Sequence, residues 1–171
     1  ACISVNDEGI HGIPGSRVIQ EGDIVSIDVG AYYNGYHGDN AFTFTAGAVA
    51  PEVQRLLEAG TPYVIRQKVP LTGSTTFEDA VFGVVKEYVG HGVGANLHED
   101  PEVPNYGRPG HGVRLVPGMV IAIEPMITMG SPAVRVLDND WTVVTRDHSP
   151  AAHFENTIAI TENGPVILTQ A

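Results

Sequence analysis

The sequence predicts a strand-rich domain of the α+β class, and three features support this prediction. Asn34-Gly35 separates two extended runs, which is the strongest short signal for a β-hairpin with a type I′ turn. Apolar runs of strand length occur at residues 119–127 and 153–161. Helix signals are limited to short stretches, the clearest of which is residues 51–59.

The composition suits one domain over residues 1–171, because 43% of the 171 residues are hydrophobic. A net charge of -11 argues against nucleic acid or an anionic membrane as the main partner. No apolar run approaches the length of about 18 residues that a membrane span needs, and no basic, apolar leader is visible. The single cysteine, Cys2, excludes an intrachain disulfide and favours a reducing compartment, so we expect a cytoplasmic protein.

The other elements can be assigned in order along the chain. We expect a first strand at residues 2–6 and a helix at 51–59, with Pro51 in its first position and Gly60 after its end. Thr75 and Glu78 fit a capping box that begins a second short helix. Residues 107–118 read as a loop, residues 133–137 and 141–145 as a hairpin, and residues 166–169 as the last strand.

The hairpin around Asn34-Gly35 places two carboxylates close together. With a two-residue loop, Gly30 faces Asp39, and Asp28 shares their face of the hairpin, which puts the two aspartates about 7–8 Å apart at the backbone. Carboxylates this close repel each other unless a cation joins them. The alternative is that they lie on a solvated outer face.

A glycine-rich stretch, residues 88–106 with the sequence YVGHGVGANLHEDPEVPNY, contains His91 and His98. His91 lies between two glycines, which makes the segment poor helix and poor strand material and suggests a side chain held towards a ligand. The stretch is neither a phosphate-binding loop nor an HExxH zinc motif. The alternative is a glycine-rich surface turn.

Glu124 and Glu155 are each the only charge in an apolar strand. A lone charge removed from water is rarely left unpaired, so each glutamate predicts either a metal ion or a salt bridge to one of the nine basic residues.

Taken together, four carboxylates and one imidazole form an oxygen-rich set of candidate metal ligands: Asp28, Asp39, His91, Glu124 and Glu155. Such donors suit Mn²⁺, Fe²⁺, Co²⁺ or Zn²⁺. Four negative charges suit two ions about 3.5–4 Å apart, which can convert a shared water into hydroxide near neutral pH. The residues therefore predict a dinuclear metal-dependent hydrolase.

The chain also resembles a known family over nearly all of residues 2–169. The motifs, in the family's order and with similar spacing, are CISVND, IHGIPG, GDIVSIDVG, GYHGD, EYVGHGVG, LHEDPEVPNYG, PGMVIAIEPM and HFENTIAIT followed by ENGPVILT. They resemble bacterial type I methionine aminopeptidase. The resemblance implies the pita-bread fold, a curved antiparallel sheet covered by helices. Family members usually carry some tens of residues before the first strand, so it also implies an N-terminally shortened catalytic domain.

The resemblance assigns a role to each candidate residue. The metal ligands of the family fall on the five residues above, with Asp39 and Glu155 in the positions that bridge two ions. His11 and His98 match histidines that contact the substrate, His98 by donating to the reacting carbonyl, and Glu124 is the proton shuttle. Cys2, Leu97 and Trp141 line an apolar pocket for the methionine side chain.

The resemblance further implies removal of N-terminal methionine before a small second residue, using two ions of Co, Mn, Fe or Zn. The implied partners are methionyl peptides, nascent chains and the ribosome, and the implied oligomeric state is a monomer. Two departures from the family are Leu97, where an aromatic residue is usual, and Asn156, where histidine is usual. The alternatives are an Xaa-Pro peptidase of the same fold, such as prolidase or aminopeptidase P, and an inactive fragment or peptide-binding module.

Overall fold

The computed structural model describes residues 1–65, 82–108 and 111–169. These residues form fourteen strands and one helix: β1 Cys2–Val5, β2 Glu8–Ile10, β3 Ile24–Tyr33, β4 Tyr36–Thr45, α1 Pro51–Ile65, β5 Gly83–Val84, β6 Gly90–Gly92, β7 Glu99–Val103, β8 Val120–Ile123, β9 Met126–Thr128, β10 Val134–Val136, β11 Val143–Thr145, β12 Ala151–His153, β13 Glu155–Thr161 and β14 Gly164–Ile167. Within this part of the chain, no helix is long and apolar enough to cross a membrane.

The strands form one large sheet and two small ones. The large sheet has the order β1-β3-β4-β13-β8-β6-β7, and β14 also pairs with β13. The small sheets have the orders β10-β11-β2 and β12-β9-β5. Every pairing among the described strands is antiparallel, as the predicted α+β class requires.

The predicted hairpin is confirmed by β3 and β4. Asn34 and Gly35 have φ angles of 50° and 90°, and a type I′ turn requires positive values at both positions. Gly30 lies directly opposite Asp39, and Asp28 lies two residues from Gly30 on the same face, so the predicted register is also correct. The hairpin of β10 and β11 is confirmed as well.

The two long apolar runs do not form single strands, so this part of the prediction is wrong. Residues 119–127 divide into β8 and β9, which belong to different sheets and are separated by Glu124 and Pro125. Pro125 has no N–H group, so it cannot continue a strand ladder. Residues 153–161 divide in the same way into β12 and β13 on either side of Phe154. Both glutamates therefore lie where the chain passes from one sheet to another.

The segment around His91 is a short strand, contrary to the prediction that its glycines make poor strand material. A Cβ on Gly90 would overlap the carbonyl oxygen of Ala122, and one on Gly92 would overlap that of Asp100. Glycine is required here because β7 and β8 approach β6 very closely from either side.

Helix α1 begins at Pro51 as predicted, but it continues through Gly60 to Ile65. A Cβ on Gly60 would overlap the ring of Phe154, so the glycine permits close packing rather than ending the helix. Leu56 and Leu57 pack with Phe154 in the same buried cluster. The short helix predicted from the capping box of Thr75 and Glu78 lies outside the described residues.

Candidate metal centre

The structure brings the five predicted ligands together at the centre of the large sheet. Potential ligand atoms within 4.8 Å of one another form three overlapping groups, namely Asp28, Asp39 and Glu155; His91, Glu124 and Glu155; and Asp39, His91 and His98. Asp39, His91 and Glu155 each belong to two of these groups. Asp39 and Glu155 are the two carboxylates among them, and the family resemblance assigns the bridging role to these two.

Strand register explains how three of the carboxylates converge. Asp28 lies opposite Ala41 on β4, and Ala41 in turn lies opposite Glu155 on β13. Side chains paired directly across neighbouring strands point to the same face of a sheet, so Asp28 and Glu155 flank Ala41 on one face. Asp39 is two residues before Ala41 and shares that face. The small, buried side chain of Ala41 leaves room for the three carboxylates above it.

His91 and Glu124 approach from the other half of the large sheet. The Nδ1 atom of His91 lies 2.8 Å from the carbonyl oxygen of Gly92, and a carbonyl can only accept, so Nδ1 donates. The lone pair of Nε2 is then free to bind a metal ion. This nitrogen lies 3.4 Å from Oε1 of Glu124, which follows the end of β8.

The chemistry of these groups fits a bound divalent cation. Oδ1 of Asp39 and Oε1 of Glu155 are buried and have no hydrogen-bond partner in the described residues. Burial and the carboxylates of Glu124, Asp39 and Asp28 raise the pKa of Glu155 far above its usual value. Burial also raises the pKa of Asp28. A metal ion would give each crowded carboxylate a positive partner.

The alternative of a salt bridge to a basic residue finds no support in residues 1–65, 82–108 and 111–169. The partners recorded there for Glu124 are the imidazoles of His91 and His153, and neither Glu124 nor Glu155 pairs with a lysine or arginine. Glu155 is only 2% exposed, which also excludes a solvated carboxylate.

Two threonine hydroxyls hydrogen-bond to the backbone of residues at the site, and neither threonine was predicted from the sequence. The hydroxyl of Thr157 accepts from the Asp39 N–H and donates to the Asp39 carbonyl, both at 2.8 Å. The hydroxyl of Thr43 does the same for His153, at 2.9 and 2.8 Å. Each hydroxyl takes the place of a partner strand's N–H and C=O groups where the regular pairing of two strands ends. The two threonines thereby restrain the backbones of Asp39 and His153.

His98 lies at the open side of the centre. Its side chain is exposed, and its ring centroid is 4.2 Å from that of His91. One of its ring nitrogens lies close enough to Asp39 and His91 for the three to form a ligand group. The geometry therefore allows metal binding as well as the substrate contact that the family resemblance implies.

His11 is held between two aromatic rings. It stacks on Trp141 with a centroid distance of 4.5 Å and meets the edge of Tyr88 at 6.1 Å. Its backbone has a φ of 60°, which is uncommon for a residue other than glycine and often marks a functional position. Burial, together with the neighbouring His153, lowers the pKa of His11 and so favours the neutral imidazole.

Of the three predicted pocket residues, Cys2 and Leu97 lie beside the aspartates, and Trp141 contacts Cys2 and His11. Cys2 is opposite Asp28 in the β1–β3 register, and burial raises the pKa of its thiol, which keeps the thiol protonated. The Leu97 side chain packs against Gly30: a Cβ added to Gly30 would lie 3.4 Å from Leu97 Cδ1. The rings of Trp141 and His11 are stacked. A separate open cleft of about 530 Å³ lies beside His91 and His98 and is not lined by these three residues.

His153 is a further residue of the site that was not predicted from the sequence. It ends β12, its side chain is fully buried, and its Nε2 lies 3.6 Å from Oε2 of Glu124. The available signal was its position two residues before Glu155, where a histidine stands among the apolar residues Ala151, Ala152 and Phe154.

Known metallopeptidases resemble this chain over nearly its whole length. The model of metallopeptidase family M24 matches residues 1–162. The chain is 51% identical to methionine aminopeptidase 1 of Bacillus subtilis over 180 residues, which cover 99% of this chain and 73% of that protein. The crystal structure of methionine aminopeptidase from Thermotoga maritima superposes with a TM-score of 0.92 and 44% identity, and covers 99% of this chain and 73% of that one.

Prolidase from Pyrococcus furiosus shares the fold at a lower level of similarity. Its TM-score is 0.66 and its identity 24%, over 99% of this chain and 48% of that chain. The chain is therefore more similar to the methionine aminopeptidases than to this prolidase, both in sequence and in structure. The similarity to the methionine aminopeptidase structures confirms the expected pita-bread architecture. The chain belongs to metallopeptidase family M24.

Proposed function

We propose that this protein is a methionine aminopeptidase, which hydrolyses the first peptide bond of chains that begin with methionine. The observation that carries the proposal is the combination of 51% identity to a methionine aminopeptidase with overlapping ligand groups that share Asp39 and Glu155. Substrates of this class are newly made proteins, so the proposed place of action is the cytoplasm, at or near the ribosome. We further propose that the enzyme acts as a monomer.

Two divalent ions, of Co, Mn, Fe or Zn, would be held by the overlapping groups. The residues that would hold the ions are Asp28, Asp39, His91, Glu124 and Glu155, and Asp39 and Glu155 would be the shared carboxylates. When bound, the ions supply Lewis acidity, which polarises the scissile carbonyl and makes a water molecule acidic enough to act as the nucleophile.

Glu124 is the proposed proton carrier. Its carboxylate lies between two imidazoles, 3.4 Å from His91 and 3.6 Å from His153, and it is only partly exposed. A carboxylate in this position can take a proton from the attacking water and deliver it to the leaving nitrogen.

Two further histidines would contact the substrate. His98, on the open side of the centre, would donate a hydrogen bond to the carbonyl oxygen as negative charge develops there. His11 would contact the scissile nitrogen or the second residue, because its ring, stacked on Trp141, lies near Glu124 and His98.

The side chain of the substrate would lie against apolar surface. Cys2 and Leu97 lie beside the aspartates and offer a small thiol and a branched aliphatic group, and Trp141, stacked on His11, would add an indole. An unbranched thioether adapts well to such an irregular surface.

A tripeptide assay tests the proposal. Metal-free protein should release methionine from Met-Ala-Ser after addition of Mn²⁺, Co²⁺ or Fe²⁺, tried separately, and should leave Xaa-Pro peptides largely intact. Preferential cleavage of Xaa-Pro peptides would instead support a prolidase-like activity. Metal binding without cleavage of either peptide would support a peptide-binding module.

A further inference from the structure

The imidazole of His153 is a buried polar group with no assigned role. The side chain is 2% exposed, and neither ring nitrogen has a hydrogen-bond partner in the described residues. Buried polar atoms in folded proteins are nearly always paired, so an unpaired buried ring beside a catalytic centre needs an explanation. The nearest charged atom recorded for it is Oε2 of Glu124, 3.6 Å from Nε2.

The position of this ring is fixed by its backbone on both sides. The Thr43 hydroxyl accepts from the His153 N–H and donates to the His153 carbonyl, and it lies 2.8 Å from the Ser26 hydroxyl. On the other side, His153 lies opposite Met126 in the β12–β9 ladder. These restraints leave the imidazole close to Glu124 and limit its movement away from the centre.

The geometry separates His153 from the metal ligands. None of the three groups of converging ligand atoms in the described residues includes it. It faces Oε2 of Glu124, whereas His91 faces Oε1. The two imidazoles therefore contact opposite oxygens of one carboxylate, and only His91 belongs to the ligand set.

We propose that His153 is a positioning residue for Glu124, and that its Nε2–H donates a hydrogen bond to Oε2 when the centre is loaded. At 3.6 Å the contact is slightly longer than a hydrogen bond, and such bonds are often long in unliganded active sites. The bond orients the carboxylate so that Oε1 stays near His91 while Oε2 exchanges a proton with the reacting groups. This inference rests on the proposed function for its kinetic consequence, but the hydrogen bond itself can be observed without turnover.

Two variants of similar size test the role. His153→Leu removes the donor, while His153→Gln retains an N–H donor at about the same reach. We expect His153→Leu to bind wild-type amounts of Mn²⁺ and to lower kcat on Met-Ala-Ser by about 10- to 100-fold with little change in KM. His153→Gln should recover most of the lost kcat.

Nuclear magnetic resonance of protein loaded with diamagnetic Zn²⁺ and carrying ¹⁵N-labelled histidine provides a readout that does not depend on activity. The Nε2 proton of His153 should be observed, and its signal should move upfield in a Glu124→Ala variant that removes the acceptor. If the wild-type protein fails to cleave Met-Ala-Ser, the proposed function fails, whereas this spectrum still tests the contact. Should His153→Leu fail to fold, His153→Gln and the spectrum decide the question.

Three results would overturn the proposal. The first is wild-type kcat in His153→Leu, and the second is loss of bound Mn²⁺ from that variant, which would make His153 a metal ligand. The third is a His153 spectrum that does not respond to Glu124→Ala.

Discussion

Asp39 and Glu155 are the two carboxylates that belong to more than one group of converging ligand atoms in the candidate centre. Each also has a buried oxygen without a hydrogen-bond partner among the described residues. Crowded, buried carboxylates destabilise a fold unless positive charge accompanies them. At the scale of single residues, the centre is therefore organised for cation binding at the expense of stability in the metal-free protein.

Asp39→Asn should strongly reduce metal binding, because an amide is a much weaker ligand than a shared carboxylate. Elemental analysis after dialysis against limiting Mn²⁺ measures the effect, and Asp138→Asn is the matched control at an exposed position. Metal content equal to that of the control would contradict the role of Asp39.

His98→Ala should retain both metals but lower kcat by about 10²- to 10³-fold, because the lost donor acts on charge that develops in the transition state. Kinetics on Met-Ala-Ser together with elemental analysis measures this. Turnover at the wild-type level would refute the contact with the carbonyl. Loss of metal would show that His98 is a ligand, which its place beside Asp39 and His91 also allows.

At the scale of elements, the junctions between sheets position the site. Glu124 follows β8 where Pro125 ends the ladder, and Glu155 begins β13 directly after Phe154. The same Phe154 packs against α1 at Gly60, so the helix supports the strand junction from which Glu155 projects.

Gly60→Ala distinguishes packing from helix propensity. Propensity alone predicts a gain of about 1 kcal/mol, whereas overlap with the Phe154 ring predicts a loss of about 1–3 kcal/mol in the free energy of unfolding. Urea denaturation measures the difference, with the exposed Glu58→Ala as a control. A stabilised Gly60→Ala variant would rule out the close packing.

Asp147 links two loops and makes the stability of the fold depend on pH. Its carboxylate accepts from the Ser131 N–H at 2.7 Å and the Ser149 N–H at 3.1 Å, and these bonds lower its pKa to about 2. A lowered pKa stabilises the folded state above the ordinary value of 3.8, and this contribution is lost as the pH falls towards 2.

We therefore expect Asp147→Asn to have a lower Tm than the wild type at pH 6, with the difference disappearing near pH 2. Thermal unfolding followed by circular dichroism across this range measures it. A Tm difference that is the same at both pH values would show that the charge of Asp147 contributes nothing.

At the scale of the whole molecule, the parts of the site set by local sequence were predictable. Asn34-Gly35 determines the register of its hairpin, so the shared face of Asp28 and Asp39 followed from counting residues. Lone charges in apolar runs identified Glu124 and Glu155, and flanking glycines identified His91. Family resemblance supplied roles for His11 and His98, and these stay predictions.

The parts set by long-range contacts were not predictable. The pairing of Glu155 with Ala41 joins residues 114 positions apart, and no local pattern specifies it. The close packing of Gly60 against Phe154 and the hydrogen bonds of Thr157 to Asp39 depend in the same way on tertiary packing. His153 was missed because a histidine in an apolar run gives no periodic signal of its own.

The most direct test is anomalous diffraction from crystals of the protein soaked in Mn²⁺. We expect two peaks about 3.5–4 Å apart, both in contact with Asp39 and Glu155, with Asp28 on one ion and His91 with Glu124 on the other. A single peak, or peaks away from these five side chains, would contradict this expectation.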